Sequence, residues 1–207
     1  MSLRRAPVGH NDGGPSDGGP SDGGHRSGES QDTVVIAPMR RRHLRGVLAI
    51  EERTNHRPWS LGLFMGELRM PTSRWYVVAL DGHEVVGYCG LMVTADEGHI
   101  TNVAVHPDRR RCGIATRMMV VTMRRAAELD LHGVTLEVRM SNAAAQELYR
   151  GFGFAPGGIR RNYYADVNED ALIMWAHDTA DAAASERLVA IEDGLGAPLR
   201  TEGITWD

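Results

Sequence analysis

Cysteine is scarce in this chain of 207 residues, with Cys89 and Cys112 the only two. Two thiols, one in a strand and one in a turn, make neither a disulfide framework nor a metal-ligand spacing, so a reducing cytoplasm is the expected setting. Basic charge is not in excess either. With 23 lysine plus arginine against 27 acidic residues the net charge is −4, which gives no electrostatic footprint for nucleic acid. No apolar run approaches the roughly 20 residues of a membrane span, and the arginines near the amino terminus are not followed by the apolar core of a secretory signal. The nine histidines show no ligand spacing. A soluble protein is expected, without metal, nucleic acid or membrane among its partners. Its length and its 42% hydrophobic content fit one domain with tails.

Residues 1–31 hold a repeat of Asp-Gly-Gly units, Gly13 to Gly24. A stretch so rich in glycine, proline and polar residues buries too little surface to offset its ordering, and a disordered leader is expected. The domain proper is expected over residues 32–178. Thr33 to Ile36 predicts a strand, and Leu44, Val47, Leu48 and Glu51 recur at helical spacing between Arg40 and Arg53. Ser60 is placed to cap a second helix reaching about Met70. Trp75–Leu80 and Glu84–Val93 predict a hairpin around Asp81-Gly82-His83. A strand His99–Val105 then feeds a helix from about Gly113 to Leu129. Strand Val134–Val138, helix Asn142–Arg150 and strands Phe154–Arg160 and Ala171–Ala176 follow. Residues 179–207 are read as an acidic tail, frayed or loosely docked, with one short helix around Ala184–Glu192. This order predicts an α/β (α+β) domain whose mixed sheet is flanked by helices.

The segment from Asn102 to Ala115 carries the most chemistry. An apolar strand ends in a basic, glycine-containing turn, Arg109-Arg110-Arg111-Cys112-Gly113, that opens directly into a helix. Backbone N–H groups at a helix start have no intrahelical acceptor, and the helix dipole adds positive charge there, so a pyrophosphate can take several hydrogen bonds at once. Gly113 lets the backbone approach closely, and Ala115 is small enough not to obstruct it. The spacing is not that of an ATP or GTP loop, which needs an upstream glycine and a Gly-Lys-Ser/Thr ending.

The order Arg110-x-x-Gly113-x-Ala115, with the lead-in Val105-His106-Pro107-Asp108, resembles the acetyl-CoA pyrophosphate loop of the GNAT N-acetyltransferases. Gly133 to Phe154, Arg160 to Asp166 and Glu169-Asp170-Ala171 resemble, within that superfamily, the RimI-type ribosomal-protein alanine N-acetyltransferases. The likeness runs from about Val34 to about His177. It implies the GNAT fold, a mixed, mostly antiparallel central sheet of about six or seven strands with about four helices. It also implies acetyl-CoA as co-substrate, held by Val103, Ala104 and Val105 after a bulge in their strand. The turn residues Arg110, Arg111, Cys112, Gly113, Ile114, Ala115 and Thr116, and Asn142, complete that set. Glu137 matches the family's general base and Tyr149 its general acid. Trp59, Tyr163 and Tyr164 are implied to touch the acceptor, with Glu51 and Glu52 helping to wall its groove. Cys112 stands where a larger polar residue is common, and Ala115 replaces a frequent glycine.

The residues leave other readings beside these. Glu137 lies in an apolar strand, where a carboxylate is either on the solvated face or placed for use. Tyr149 can pack on the sheet, Asn142 can serve as a helix cap alone, and two adjacent tyrosines can simply close a hairpin. In an extended backbone Tyr163 and Tyr164 point to opposite sides, so at most one faces an acceptor. The resemblance implies transfer to a protein N-terminus, the amino-terminal alanine of small-subunit ribosomal protein eighteen. A small amine or an internal lysine is the alternative acceptor, and a non-catalytic acetyl-CoA-binding protein the alternative class.

Overall fold

A computed structural model describes residues 34–206; the leader lies outside them. The described residues form one eight-stranded sheet in the order β6-β7-β5-β4-β3-β2-β1-β8. The strands are β1 (Val34–Pro38), β2 (Arg74–Asp81), β3 (Glu84–Thr94), β4 (Glu97–Val105), β5 (Gly133–Arg139), β6 (Ala155–Tyr164), β7 (Glu169–His177) and β8 (Arg200–Thr201). The helices are α1 (Leu44–Thr54), α2 (Leu61–Glu67), α3 (Ile114–Glu128), α4 (Ala143–Gly151) and α5 (Ala182–Asp193). Pairing is antiparallel except for β4 with β5 and β1 with β8. No helix among the described residues is long and apolar enough to cross a membrane.

Strand alternation sorts the side chains onto two faces. Ile36, Val77, Ala79, Leu91, Ile100, Leu136 and Met174 bury against Met118 and Val121 of α3, with Tyr149 of α4 and Phe152 at its C-terminal end in the same cluster. Ala37, Val78 and Tyr88 bury on the opposite face against Leu44, Val47 and Ile50 of α1 and Phe64 of α2. The expected caps form: Ser60 Oγ accepts from Leu63 N at 3.3 Å, and Asn142 Oδ1 accepts from Ala145 N at 3.1 Å.

The tail departs from expectation. Its helix α5 (Ala182–Asp193) forms where one was expected, but instead of fraying the tail packs on the domain and adds β8 to the sheet. Leu188 packs into the core. Arg117 of α3, 1% exposed, donates to the carbonyls of Pro198 at 2.8 Å and Ala197 at 2.7 Å. A buried guanidinium needs acceptors, and the tail's backbone provides them. This partner was invisible locally because it lies some eighty positions downstream.

Candidate functional site

Where β4 meets β5 the parallel register covers only Glu97–Ile100 against Gly133–Leu136. Beyond it the two strands part. The register of β4 against β3 passes from Leu91↔Ile100 to Gly90↔Asn102, leaving Thr101 as a bulge residue. Gly90 makes room for it, since a Cβ there would come within 2.2 Å of Tyr76 Cε1 and 2.7 Å of Thr101 Oγ1. A bulge bends its strand, and here it lies where β4 swings away from β5.

The gap opens a cavity of about 820 Å³. Its walls include Trp59, Val103, Ala104, Val105, Arg110, Glu137, Asn142, Tyr149, Tyr163 and Tyr164, so the fold brings these sequence-predicted residues together. His106 N donates to Val86 O of β3 at 2.9 Å. By alternation, the backbone groups of Val105 and Val103 then face the other way, into the gap. An extended chain with amide groups finds a free strand edge there.

The basic turn closes one end of this gap. Arg111 (φ 63°) and Gly113 (φ 69°) both adopt the left-handed conformation, the kind of turn that points successive N–H groups into one concavity. Arg117 N makes the first intrahelical bond of α3, to Gly113 O, and Gly113 offers no side-chain cap. The amides of Ile114, Ala115 and Thr116 therefore lie ahead of the helix ladder. Nothing lies within 4 Å of where a Gly113 Cβ would sit, so the space above the turn is open. Donor amides, an uncapped helix start, open space and an unpaired strand edge together fit a pyrophosphate joined to an amide-bearing arm. Ile114 is 2% exposed and its side chain belongs to the core, leaving only its backbone for a ligand. Cys112 Sγ lies 3.5 Å from Arg110 O.

Glu137 is on the α1/α2 face of β5, opposite the buried Leu136 and Val138. Its Oε2 pairs with His99 Nε2 at 3.1 Å and its Oε1 with Arg160 Nη1 at 2.9 Å. The His99 hydrogen bond, with the charges of His99 and Arg160, holds this carboxyl below the usual range against the opposing effect of burial. Tyr149 reaches the cavity from the α3/α4 face. It is 7% exposed, and burial pushes its phenol well above the ordinary value, with Cys89 and Tyr164 adding to the effect. Cys89 is itself buried, its thiol pushed up to about 12.

Both Tyr163 and Tyr164 line the cavity, against the expectation that one would face away. Asn162 has φ 49° and the β6–β7 register shifts between Arg160 and Tyr164, so the strand's strict alternation is broken. The rings meet edge to face at 5.1 Å. Arg139 lies 3.9 Å over the Tyr164 ring and Arg160 5.1 Å over that of Tyr163.

Glu51 does not wall the cavity. It is 0% exposed and accepts hydrogen bonds from Tyr88 Oη, Asn55 Nδ2 and, at 2.8 Å, Trp59 N. It therefore ties down the loop between α1 and α2, whose Asn55, His56, Arg57 and Trp59 do line the cavity. Glu52 is exposed and takes no part in the wall. His99, Tyr88 and Arg160 were missed from the sequence. His99 sits beside Glu137 only through the parallel register, and no local spacing signals it. No group of three or more metal-binding side chains occurs among the described residues.

Residues 40–154 match the model of the acetyltransferase (GNAT) family. Over 138 residues the chain is 41% identical to a putative [ribosomal protein bS18]-alanine N-acetyltransferase of Bacillus subtilis strain 168, covering 66% of this chain and 91% of that protein. It is 39% identical over 131 residues to the [ribosomal protein bS18]-alanine N-acetyltransferase of Salmonella typhimurium, covering 60% and 84% of the two chains. The crystal structure of the ribosomal-protein-S18-alanine N-acetyltransferase from Escherichia coli superposes with a TM-score of 0.64 at 30% identity, covering 70% of this chain and 94% of that one.

Proposed function

The chain belongs to the GNAT acetyltransferase family, and we propose that it transfers the acetyl group of acetyl-CoA to the α-amino group at the amino terminus of a protein. The acceptor named for its relatives, the alanine of ribosomal protein bS18, is the one we assign to it, with the cytoplasm as its setting. One observation carries this reading: Glu137 and Tyr149 enter a single cavity from opposite faces of the sheet, where β4 and β5 part. Base and acid can then act on the two ends of one transfer without the enzyme changing partners.

In this reading the turn Arg110–Thr116 holds the pyrophosphate, and the open edge of Val103 and Val105 holds the pantetheine arm. Asn142 caps α4 beside that arm. Trp59, Tyr163 and Tyr164 hold the entering peptide. Glu137 takes the proton of the attacking amine through water as the nitrogen forms its bond to the acetyl carbon. Tyr149, kept protonated by burial, gives its proton to the sulfur as the C–S bond breaks, and direct transfer in a ternary complex follows.

The weak basicity of Glu137 bears on the acceptor. An α-amine with pKa about 7.7–8.0 is roughly a tenth neutral at pH 7, whereas a lysine near 10.4 is neutral about once in a few thousand molecules. A carboxylate held low by His99 and Arg160 suffices for the first and is poorly matched to the second.

Mass spectrometry of peptides incubated with acetyl-CoA tests this, using peptides that differ in their first residue and carry an internal lysine. The chain contains no lysine of its own, so every acetyl-lysine found reports on the peptide. Acetate on the amino terminus, with alanine-first peptides preferred, is expected. Acetate on lysine side chains alone would overturn the proposal. Acetyl-CoA binding without turnover on any peptide would favour the non-catalytic class.

A further inference from the structure

We propose that the C-terminal segment forms the third wall of the site for the nucleotide end of coenzyme A, so that docking of the tail sets cofactor affinity. This rests on the reading above that acetyl-CoA is the donor. A second cavity, of about 360 Å³, lies beyond the basic turn. Arg111 and Thr116 line it from the turn and the first coil of α3, Leu148 from α4, Phe152 from the residue that follows α4, and Ile191 from α5. The family's matched region ends at residue 154, so Ile191 comes from chain outside it.

Three features commit this cavity to an adenosine bearing phosphate. Its volume is within the range of small-ligand sites. Leu148, Phe152 and Ile191 give it mostly apolar walls suited to the faces of a base, and Arg111 and Thr116, which also line it, are residues whose guanidinium and hydroxyl suit phosphate oxygens. It is also continuous with the turn proposed to hold the pyrophosphate, through Arg111 and Thr116. Glu147 also lines the cavity, and its carboxylate is engaged by Arg150 at 3.3 Å.

The tail is fixed to the same helix that opens at the turn. Arg117, one coil into α3, holds the carbonyls of Ala197 and Pro198. Arg124 pairs with Glu192, the neighbour of Ile191, and β8 adds to β1 by parallel pairing. Helix α5 is thereby held against α3 with Ile191 facing the cavity.

The test uses the full chain and two probes that separate the ends of the cofactor: adenosine 3′,5′-bisphosphate, measured by calorimetry, and acetyl-pantetheine, which keeps the thioester and lacks the nucleotide. Ile191→Asp is expected to weaken bisphosphate binding about tenfold and raise the KM for acetyl-CoA by a similar factor. The KM for acetyl-pantetheine should not move, and Ile191→Leu should restore bisphosphate binding. Unchanged bisphosphate affinity in Ile191→Asp, or equal losses with both donors, would overturn the proposal. Turnover of acetyl-CoA by the unaltered chain keeps the donor assignment standing in either case; without that turnover both fall together.

Discussion

The two faces of the sheet offer ligands different kinds of group. On the α3/α4 face the groups available are backbone amides, a strand edge, apolar walls and the side chains around the basic turn, and Tyr149, the proposed acid, is buried. On the α1/α2 face they are charged side chains: Glu137 between His99 and Arg160, and Glu51 beneath the loop that carries Trp59. Backbone recognition tolerates side-chain change, so a site can keep its donor while substituting residues such as Cys112 and Ala115. Side-chain recognition does not, and in the proposed reading it is on that face that acceptor choice resides.

The sharpest break between the faces is expected from Glu137→Gln, which should lower kcat by about 10²- to 10³-fold while calorimetric affinity for acetyl-CoA stays as in the unaltered chain. Equal loss of both would erase the distinction. Tyr149→Phe removes a proton donor from the other face. Its kcat should fall about 100-fold, with the KM for peptide unmoved in steady-state assays.

Gly113→Val imposes a β-branched residue at φ 69°, a conformation that L-residues resist. The KM for acetyl-CoA should rise roughly tenfold through distortion of the turn, with peptide binding by fluorescence anisotropy unaffected. Arg160→Gln probes the acceptor face by pH. Glu137 titrates lower in the folded chain than in the unfolded one, so its pairing stabilises the fold above the unfolded value of about 4.3 and is lost as pH falls through the folded value. Removing the Arg160 charge raises the folded value, and the acid limb of kcat/KM should move to higher pH. A stationary limb would show that Arg160 does not govern Glu137. The smallest effect belongs to Cys112→Ala. Its turn acts through backbone amides, so turnover should stay within about twofold, and loss of transfer with retained cofactor binding would point to an acyl-cysteine route instead.

Legibility in the sequence follows the same division. The strand and helix order from Val34 to His177 could be read from periodicity and caps, because those signals are local. The turn Arg109–Ala115 was equally plain, since its chemistry lies in consecutive residues. Glu51 misled: the resemblance implied a groove residue, yet it shares the helical spacing of Leu44, Val47 and Leu48, and Tyr88, some forty positions away, holds it in the interior. Tyr163 and Tyr164 misled through Asn162, whose left-handed backbone cancels the alternation that an extended strand imposes. The tail was misjudged because composition reports how much surface a segment can bury alone, and α5 and β8 bury theirs against α3 and β1.

By itself, the sequence determined the order of elements, the basic glycine-containing turn and the identities of the residues with usable chemistry, all properties of neighbours along the chain. Tertiary structure alone decided that β4 and β5 part after Ile100, that His99 and Arg160 converge on Glu137, and that Arg117 anchors the tail. Each of those depends on strand register or on a partner dozens of positions away. Electrostatic coupling and burial act through space, and the local pattern carries no distance across the sheet.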